Sequence, residues 1–589
     1  MRSTPVVATA RTAEIRTDLR RPAADASDAI IERVRRSVIG DDLVLEGPFG
    51  HRRLVYADYT ASGRALSFIE DHIRHRVLPM YANTHTEASA TGLQTTALRE
   101  EARSIIHRAV NGGHEDVVLF CGSGVTGAID KLLRVLGLAR TIGGETVPPH
   151  GRPVVFVGPY EHHSNELPWR ESIADVIAIR EHADGGVDLR HLEEQLRLHA
   201  DRPVKIGSFS AASNVTGILT DVDAVSTVLH RHGALACWDY ASAAPYLPID
   251  MNPPGPSGHL ASKDAVFISP HKFVGGPQTP GVLVAKRALF GNRVPTVPGG
   301  GTILFVSPTA QSYHPDPEIR EEGGTPAIVE SIRAGLVFAL KDAVGTEEIR
   351  RREDRFVRRA LASWGANPRI EILGNTAADR LAIVSFGLRY GRGLLHSNFV
   401  TAVLNDLFGI QSRSGCFCAG PYVHRMYPID DDWSERMHAE VVRGHMGAKL
   451  AFVRVGFNYF TSETVFDYIV EAVHLLAYEG WKLLPLYRFD PASGLWHHAR
   501  GRAQPRTSLG GLSFASPGPV GPAGEDVTEP ESALHRHLEE ARRIIRAIEA
   551  APPRGAIPDP ALTPAFERIR WFPLPGEALA QLRGGDDRG

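Results

Sequence analysis

The stretch "AVFISPHKFVGGPQTPGVLVAK" sets Lys272 directly after an apolar run and before a Gly-Gly-Pro loop, whereas the other seven lysines lie in helical, edge or otherwise charged text. A Schiff-base lysine must be partly desolvated to lower its pKa, and it needs backbone room for a ring and a phosphate. Ser269 and His271 beside it can donate to a phosphate or a phenolate. An ordinary loop lysine is the plain alternative, and the strand-end context speaks against it. "ALACWDYASAAPYLPID" ends an apolar run in Asp239. A carboxylate at such a buried end needs a partner; a protonated pyridine nitrogen would supply one, and a helix N-cap is the competing role.

"LFCGSGVTGAID" offers Gly122, Gly124 and the hydroxyls of Ser123 and Thr126 at a helix start, where backbone N–H groups and the helix dipole favour phosphate. "GPYEHHSNELPW" puts His162 and His163 at another strand end, where one ring could stack on a planar cofactor. Metal ligation is the rival role, but adjacent histidines point apart and no third ligand is evident. "QSRSGCFCAGPY" holds two of the four cysteines, Cys416 and Cys418. A disulfide across one intervening residue would be strained, and a metal site lacks further ligands nearby. In an extended loop, residues two apart face the same side, which would bring the two thiols together; packing is an equal alternative for Cys416.

Elements must exist to position these groups. From about Val118, short apolar runs alternate with helical patterns, which predicts an α/β fold with a mainly parallel sheet covered on both faces. Ligands in such sheets bind at the carboxyl ends of the strands. That is where Gly122–Thr126, Glu161–Asn165, Ser213–Gly217, Asp239 and Ser269–Lys272 fall. The expected division is a disordered tail at 1–28, an N-terminal part of a small domain at 29–80, a large domain at 81–344, a small α+β domain at 345–489, and a Pro/Gly-rich extension with one helix at 490–589. A length of 589 residues requires more than one core. The net charge of −3 leaves no footprint for nucleic acid or an anionic membrane. No apolar run approaches the roughly 20 residues that span a bilayer, and so few cysteines suit a reducing cytoplasm.

The ordered series "VYADYTASGRA", "CGSGVTGAID", "YEHHSNELPW", "SAASNVTG", "WDYASAA", "SPHKFVGGP", "GGTP", "SRSGCFCAGP" and "FVRVGFNYFTS" resembles the pyridoxal-phosphate enzymes of aminotransferase class V over about residues 50 to 480. The branch it is most similar to is that of the cysteine desulfurases and selenocysteine lyases. The resemblance implies a homodimer of fold type I with a seven-stranded type of sheet, and Lys272 as the Schiff-base lysine. Asp239 would pair with the pyridine nitrogen and His162 would stack on the ring. Gly124, Val125, Thr126, Ser269 and His271 would hold the phosphate, and Gly324 and Thr325 would reach the phosphate of the neighbouring subunit. Asn214 would lie near the phenolate and the substrate carboxylate, Arg454 would clamp that carboxylate in bidentate fashion, and Arg413 would support the active-site loop. Ser242 stands where the family usually has Gln. An insertion at 423–449 is expected to cover the active-site mouth, and the extension from about 490 has no recognised counterpart.

The implied reaction is removal of sulfur from L-cysteine, or a related sulfur or selenium amino acid, through a persulfide on Cys418, giving alanine. A sulfur-acceptor protein would be a partner. The alternatives are an aminotransferase, a cysteine-conjugate β-lyase or an epimerase in the same site, none of which needs a thiol, and a non-catalytic binding partner that keeps the fold. No GxGxxG opens the sheet, which removes a dehydrogenase from consideration.

Overall fold

The computed structural model describes residues 24–84, 86–140, 151–255, 258–391, 393–427, 429–501, 505–511, 527–554 and 557–584. Seven strands form its central sheet: β1 (Asp116–Cys121), β2 (Val154–Val157), β3 (Asp175–Ala178), β4 (Lys205–Ser210), β5 (Leu235–Asp239), β6 (Ala265–Ile268) and β7 (Gly281–Lys286). Their order is β1-β7-β6-β5-β4-β2-β3. β7 is antiparallel to both neighbours, and the β6-β5-β4-β2-β3 pairings are parallel.

Side-chain alternation sends the two faces into separate cores. Leu119, Val155, Cys237, Phe267 and Leu283 pack with the helix α3 (Gly124–Val135). Val118, Phe156, Trp238, Val266 and Val284 pack on the other face, with the helices α1 (Ala24–Ser37) and α6 (Ile328–Val344). Both faces are covered, so the strands carry apolar residues at successive positions, as expected for parallel sheets. The exposed rim of β1 is closed by side chains. Glu318 and Glu322 accept from Val118 N and Phe120 N at 2.8 and 2.6 Å, and Arg103 donates to Val118 O. An edge strand so occupied offers no template for pairing with another chain.

The smaller domain has strands β8 (Ile370–Ile372), β9 (Ile383–Tyr390), β10 (Arg413–Gly415) and β11 (Phe452–Gly456) in the order β8-β9-β11-β10, all antiparallel. Its core includes residues of α7 (Thr346–Gly365), α8 (Ser397–Phe408) and α11 (Glu463–Glu479).

Three boundaries differ from expectation. Of the tail, residues 1–23 lie outside the described residues, and Ala24–Asp28 already belong to α1. The 29–80 segment is split between domains. Ile31, Val34, Leu66 and Ile69 enter the core of the central sheet, while Val55–Tyr56 pairs with Ile410–Gln411 of the small domain.

The region after 490 contains more than one helix. Trp496–His498 pairs with Tyr487–Phe489, and the helices α12 (Ala533–Ala550), α13 (Pro564–Ile569) and α14 (Pro575–Leu582) come after it. Leu534, Leu538, Ala541 and Ile545 form one buried stripe of α12, joined in the small-domain core by Phe566, Ile569 and Phe572. A buried Leu, Ile or Phe contributes roughly 1.5–3 kcal/mol, so this segment is part of the fold. The linker text of 502–504 and 512–526 lies outside the described residues.

Among the described residues, none of the insertion lines the cavity at the strand ends. Its helix α10 (Asp431–Val442) and the turn after it are fastened to the C-terminal segment: Thr563 Oγ1 donates to Glu440 Oε2 at 3.1 Å, and Trp571 Nε1 to Ala448 O at 3.4 Å. Two departures from the family pattern, distant in sequence, pack on one another.

Candidate active site

The carboxyl ends of the strands open into a cavity of about 190 Å³. Register decides which residues meet there. Ser210 and Asp239 are paired residues at the ends of β4 and β5, and Ser269 comes directly after β6. Cys121 at the end of β1 is paired with Gly281 at the start of β7. Gly281 N donates to Gly122 O at 3.0 Å, and a Cβ at Gly281 would stand 2.0 Å from Gly124 O. Only glycine lets the two backbones approach so closely.

Gly124, Val125 and Thr126 begin α3 and line the cavity with Ser123, Ser269 and His271. Val125 N donates to Ser269 Oγ at 3.0 Å, and Thr126 Oγ1 and Ser164 Oγ are 2.7 Å apart. Gly124 has φ +55, and a Cβ there would lie 2.8 Å from both Ser269 Oγ and His271 Cε1. Backbone amides, hydroxyls and a helix start are groups that can receive an anion.

Lys272 is half-buried in the cavity wall; desolvation, reinforced by Arg454 and Arg413, pushes its ammonium down to about 8 although Asp239 and Asp58 oppose this. Asp239 is 4% exposed. Burial raises its carboxyl to about 6, against the 2.7 Å hydrogen bond that Ala241 N donates to Oδ1 and the charge of Lys272. Burial also holds His162 neutral, down to about 3, and its Nδ1 accepts from Ser164 N at 3.1 Å. Beneath it Glu161 takes four donors, from Gly158 N, Asn165 Nδ2, Ser210 N and Ser210 Oγ, and fixes the 161–165 turn to β4.

The opposite wall comes from the small domain. Arg454 on β11 is buried; it donates to Asn214 O at 2.9 Å and to Asp58 Oδ1 at 2.8 Å, with its guanidinium carbon 4.8 Å from the Phe417 ring centroid. Arg413 is its registered neighbour on β10 and is exposed at the cavity. Asn214 Nδ2 donates to Phe417 O at 2.7 Å, while Asn214 Oδ1 is buried and has no partner among the described residues.

The cysteine stretch is not extended. Phe417 and Cys418 have φ 54 and 56, and Ala419 N donates to Cys416 O at 2.9 Å. That is the pattern of a type I′ turn, whose central positions ordinarily take Asn-Gly. Left-handed backbone at two non-glycine residues costs on the order of 1–3 kcal/mol each and persists only where the surroundings hold it. The extended geometry on which the same-side placement of the two thiols was expected is therefore not found. Cys416 packs against the small-domain core, and Cys418 is half-buried one residue from Phe417, which lines the cavity. Cys418 itself is not in the cavity wall.

Lys272, Asp239, His162, Gly124, Val125, Thr126, Asn214, Ser242, Ser269, His271, Arg413 and Arg454 thus share one cavity. Gly324 and Thr325 do not; they are exposed away from it, with Gly324 N donating to Gly300 O at 2.8 Å. Sequence reasoning assigned no role to Asp58, Thr60 and Ala61, although "VYADYTASGRA" was the available signal. Ser164, Ser210 and Phe417 also went unassigned.

The residues fit pyridoxal phosphate on structural grounds: a glycine cradle that a Cβ would fill, a buried carboxylate beneath, an orphaned Asn214 Oδ1, and a desolvated lysine. The aminotransferase class-V family model matches residues 55–465. A Streptomyces coelicolor protein named "Probable cysteine desulfurase" is 28% identical over 385 residues, 63% of this chain and 84% of its own. A Halalkalibacterium halodurans protein of the same name is 28% identical over 389 residues, 64% of this chain and 87% of its own. The solved structure of a Thermococcus onnurineus cysteine desulfurase matches with TM-score 0.58 at 23% identity, covering 72% of this chain and 95% of that one. The architecture is accordingly that of fold type I. A seven-stranded sheet with one reversed strand, a polar cavity at its carboxyl ends and a family match over most of the length agree, and the chain belongs to the aminotransferase class-V family of pyridoxal-phosphate-dependent enzymes.

Proposed function

We propose that this protein is a cysteine desulfurase, which takes sulfur from L-cysteine onto Cys418 and releases alanine. The observation that carries the reading is the strained turn at Phe417–Cys418, held against a cavity that contains Lys272, Asp239 and two arginines. The names of the Streptomyces and Halalkalibacterium relatives support it.

Pyridoxal phosphate, when bound, supplies an electron sink for the pair released at the substrate Cα. Gly124, Val125, Thr126, Ser269 and His271 would hold its phosphate, Asp239 its pyridine nitrogen, Asn214 and Ser242 its phenolate side, and His162 its ring face. Ser242 has a shorter reach than the Gln usual in the family. The low pKa of Lys272 leaves part of its amine unprotonated near neutral pH, as a base at Cα requires. Arg413 is open to receive the substrate carboxylate, and Arg454, already engaged by Asp58 and Asn214, completes the clamp.

In the transfer step the Cys418 thiolate attacks the substrate sulfur. A sulfur–sulfur bond forms, the Cβ–sulfur bond breaks, and its electron pair stays with Cβ, which takes a proton. L-cysteine plus the Cys418 thiol become alanine plus a Cys418 persulfide; carbon is reduced, sulfur is oxidised, and no outside oxidant is needed. A reducing thiol or a sulfur-acceptor protein then removes the outer sulfur.

The test is product analysis with L-cysteine and excess dithiothreitol. Alanine and sulfide in equal amounts are expected; pyruvate with ammonia would replace this reading by β-elimination in the same site.

Asp239 makes cofactor binding pH-dependent. With a carboxyl near 6 in the cofactor-free protein, the carboxylate that pairs with a protonated ring is present above that pH and lost below it. Affinity of the stripped protein for pyridoxal phosphate is expected to fall by up to about tenfold per pH unit as pH drops below this value, and Asp239→Asn should flatten the slope. Equal slopes in both proteins would remove Asp239 from this role.

A second copy of the chain would complete the site. The hairpin Ile303–Val306 with Gln311–Tyr313 leaves Leu304, Phe305 and Val306 61, 59 and 59% exposed, beside the Gly324 loop. Contiguous exposed apolar residues are the kind of surface an interface covers. Light scattering should return the mass of two chains, and a monomer mass would contradict it.

A further inference from the structure

Cys418 is bracketed by one residue. The backbone N–H of His163 donates to the Cys418 carbonyl at 2.6 Å, and the His163 ring Nε2 accepts from Gly420 N at 3.2 Å. His163 comes directly after His162, whose ring lines the cavity, with the two ring centroids 6.2 Å apart. The short turn that carries the ring-stacking histidine therefore also grips the thiol turn.

The grip matters because the turn is strained. The restraints from the large domain and from β11, Asn214 Nδ2 on the Phe417 carbonyl and Arg454 over the Phe417 ring, act on Phe417. His163 alone among them acts on Cys418 and on the amide two residues beyond it. Without the ring contact to Gly420 N, that end is held by the His163 backbone alone, the left-handed pair can relax toward negative φ, and the Cys418 side chain turns with the backbone.

The two neighbouring histidines are not equivalent. Nδ1 of His162 accepts from Ser164 N, so its ring proton resides on Nε2; Nε2 of His163 accepts from Gly420 N, so its ring proton resides on Nδ1. Burial holds the His163 imidazole below the ordinary range, with Glu166 opposing and Arg170 and Lys449 assisting, which preserves the lone pair.

We propose that His163 is the positioning residue for the Cys418 thiol, its ring acting as the hydrogen-bond acceptor that locks the left-handed turn in the geometry for sulfur transfer. This rests on Cys418 being the residue that receives sulfur. It assigns to the second histidine of "EHHSN" a task separate from that of the first.

The experiment compares cofactor-loaded wild type, His163→Ala and His163→Gln, following alanine from L-cysteine together with the visible absorbance of the bound cofactor. His163→Ala should lose at least about tenfold in kcat with KM and absorbance unchanged, since small misplacements of a reacting group cost rates of this order. His163→Gln, whose amide oxygen can accept from Gly420 N, should regain most of the loss. Wild-type kcat in His163→Ala, or equal losses in both variants, would overturn the assignment. So would a loss of kcat that goes with loss of the absorbance, which would make His163 a support of the cofactor cavity. Failure of the underlying reading looks different: the wild type itself would leave no sulfur on Cys418.

Discussion

Replacing Lys272 by Ala is expected to abolish turnover and the visible absorbance of the bound cofactor together, while the protein still folds. The fold should survive because Lys272 makes no side-chain hydrogen bond or ion pair among the described residues and its ammonium is destabilised by burial; removing a desolvated cation relieves a cost. The activity should not survive, because no other lysine lines the cavity. A positioned general base alone is worth about 10²–10⁴-fold, and loss of the covalent anchor adds to that. Lys272→Arg should fare no better, since a guanidinium stays protonated. Absorbance spectra and alanine release, with thermal melting as a control on folding, measure all three. Retained absorbance with activity above about a hundredth of wild type would place the base elsewhere.

The second large effect is at Cys418. Cys418→Ala should keep the cofactor absorbance and lose alanine formation by at least about 10²-fold, since the attacking thiol is removed. The same change at Cys416 should cost little, because that side chain packs against the small-domain core. Cys418→Gly should not regain activity, although glycine relieves the left-handed backbone at φ 56. Comparing these variants separates thiol chemistry from turn strain, and equal rates in Cys418→Ala and wild type would favour a reaction without a thiol.

The strand-end chemistry is legible in the sequence for a physical reason. Parallel strands announce themselves as apolar runs, and the residues at the carboxyl end of each run must lie on one rim. Lys272, Asp239, His162 and Gly124 therefore group together on sequence grounds alone. Side chains that line or support the cavity from elsewhere carry no such strand-end signal: Asp58 and Thr60 come after a two-residue strand, and Asp58 acquires its place through Arg454, nearly 400 residues away.

The thiol turn is illegible for another reason. Its Phe-Cys centre lacks the Asn-Gly cue, and contacts from Asn214 and His163 impose the left-handed backbone. Beyond residue 490, the Gly/Pro text obscures the fact that the periodic stripe Leu534, Leu538, Ala541 and Ile545 has a waiting core to join. The packing of the insertion on the C-terminal segment leaves no local signal, because the two are more than a hundred residues apart.

The most direct measurement is peptide mass spectrometry of the cofactor-loaded enzyme after one equivalent of L-cysteine, with no reducing thiol present. The predicted result is one added sulfur atom on the peptide containing Cys416 and Cys418, assigned by fragmentation to Cys418 and matched by one equivalent of alanine. Alanine released with both cysteines unmodified would contradict the central claim that Cys418 receives the sulfur.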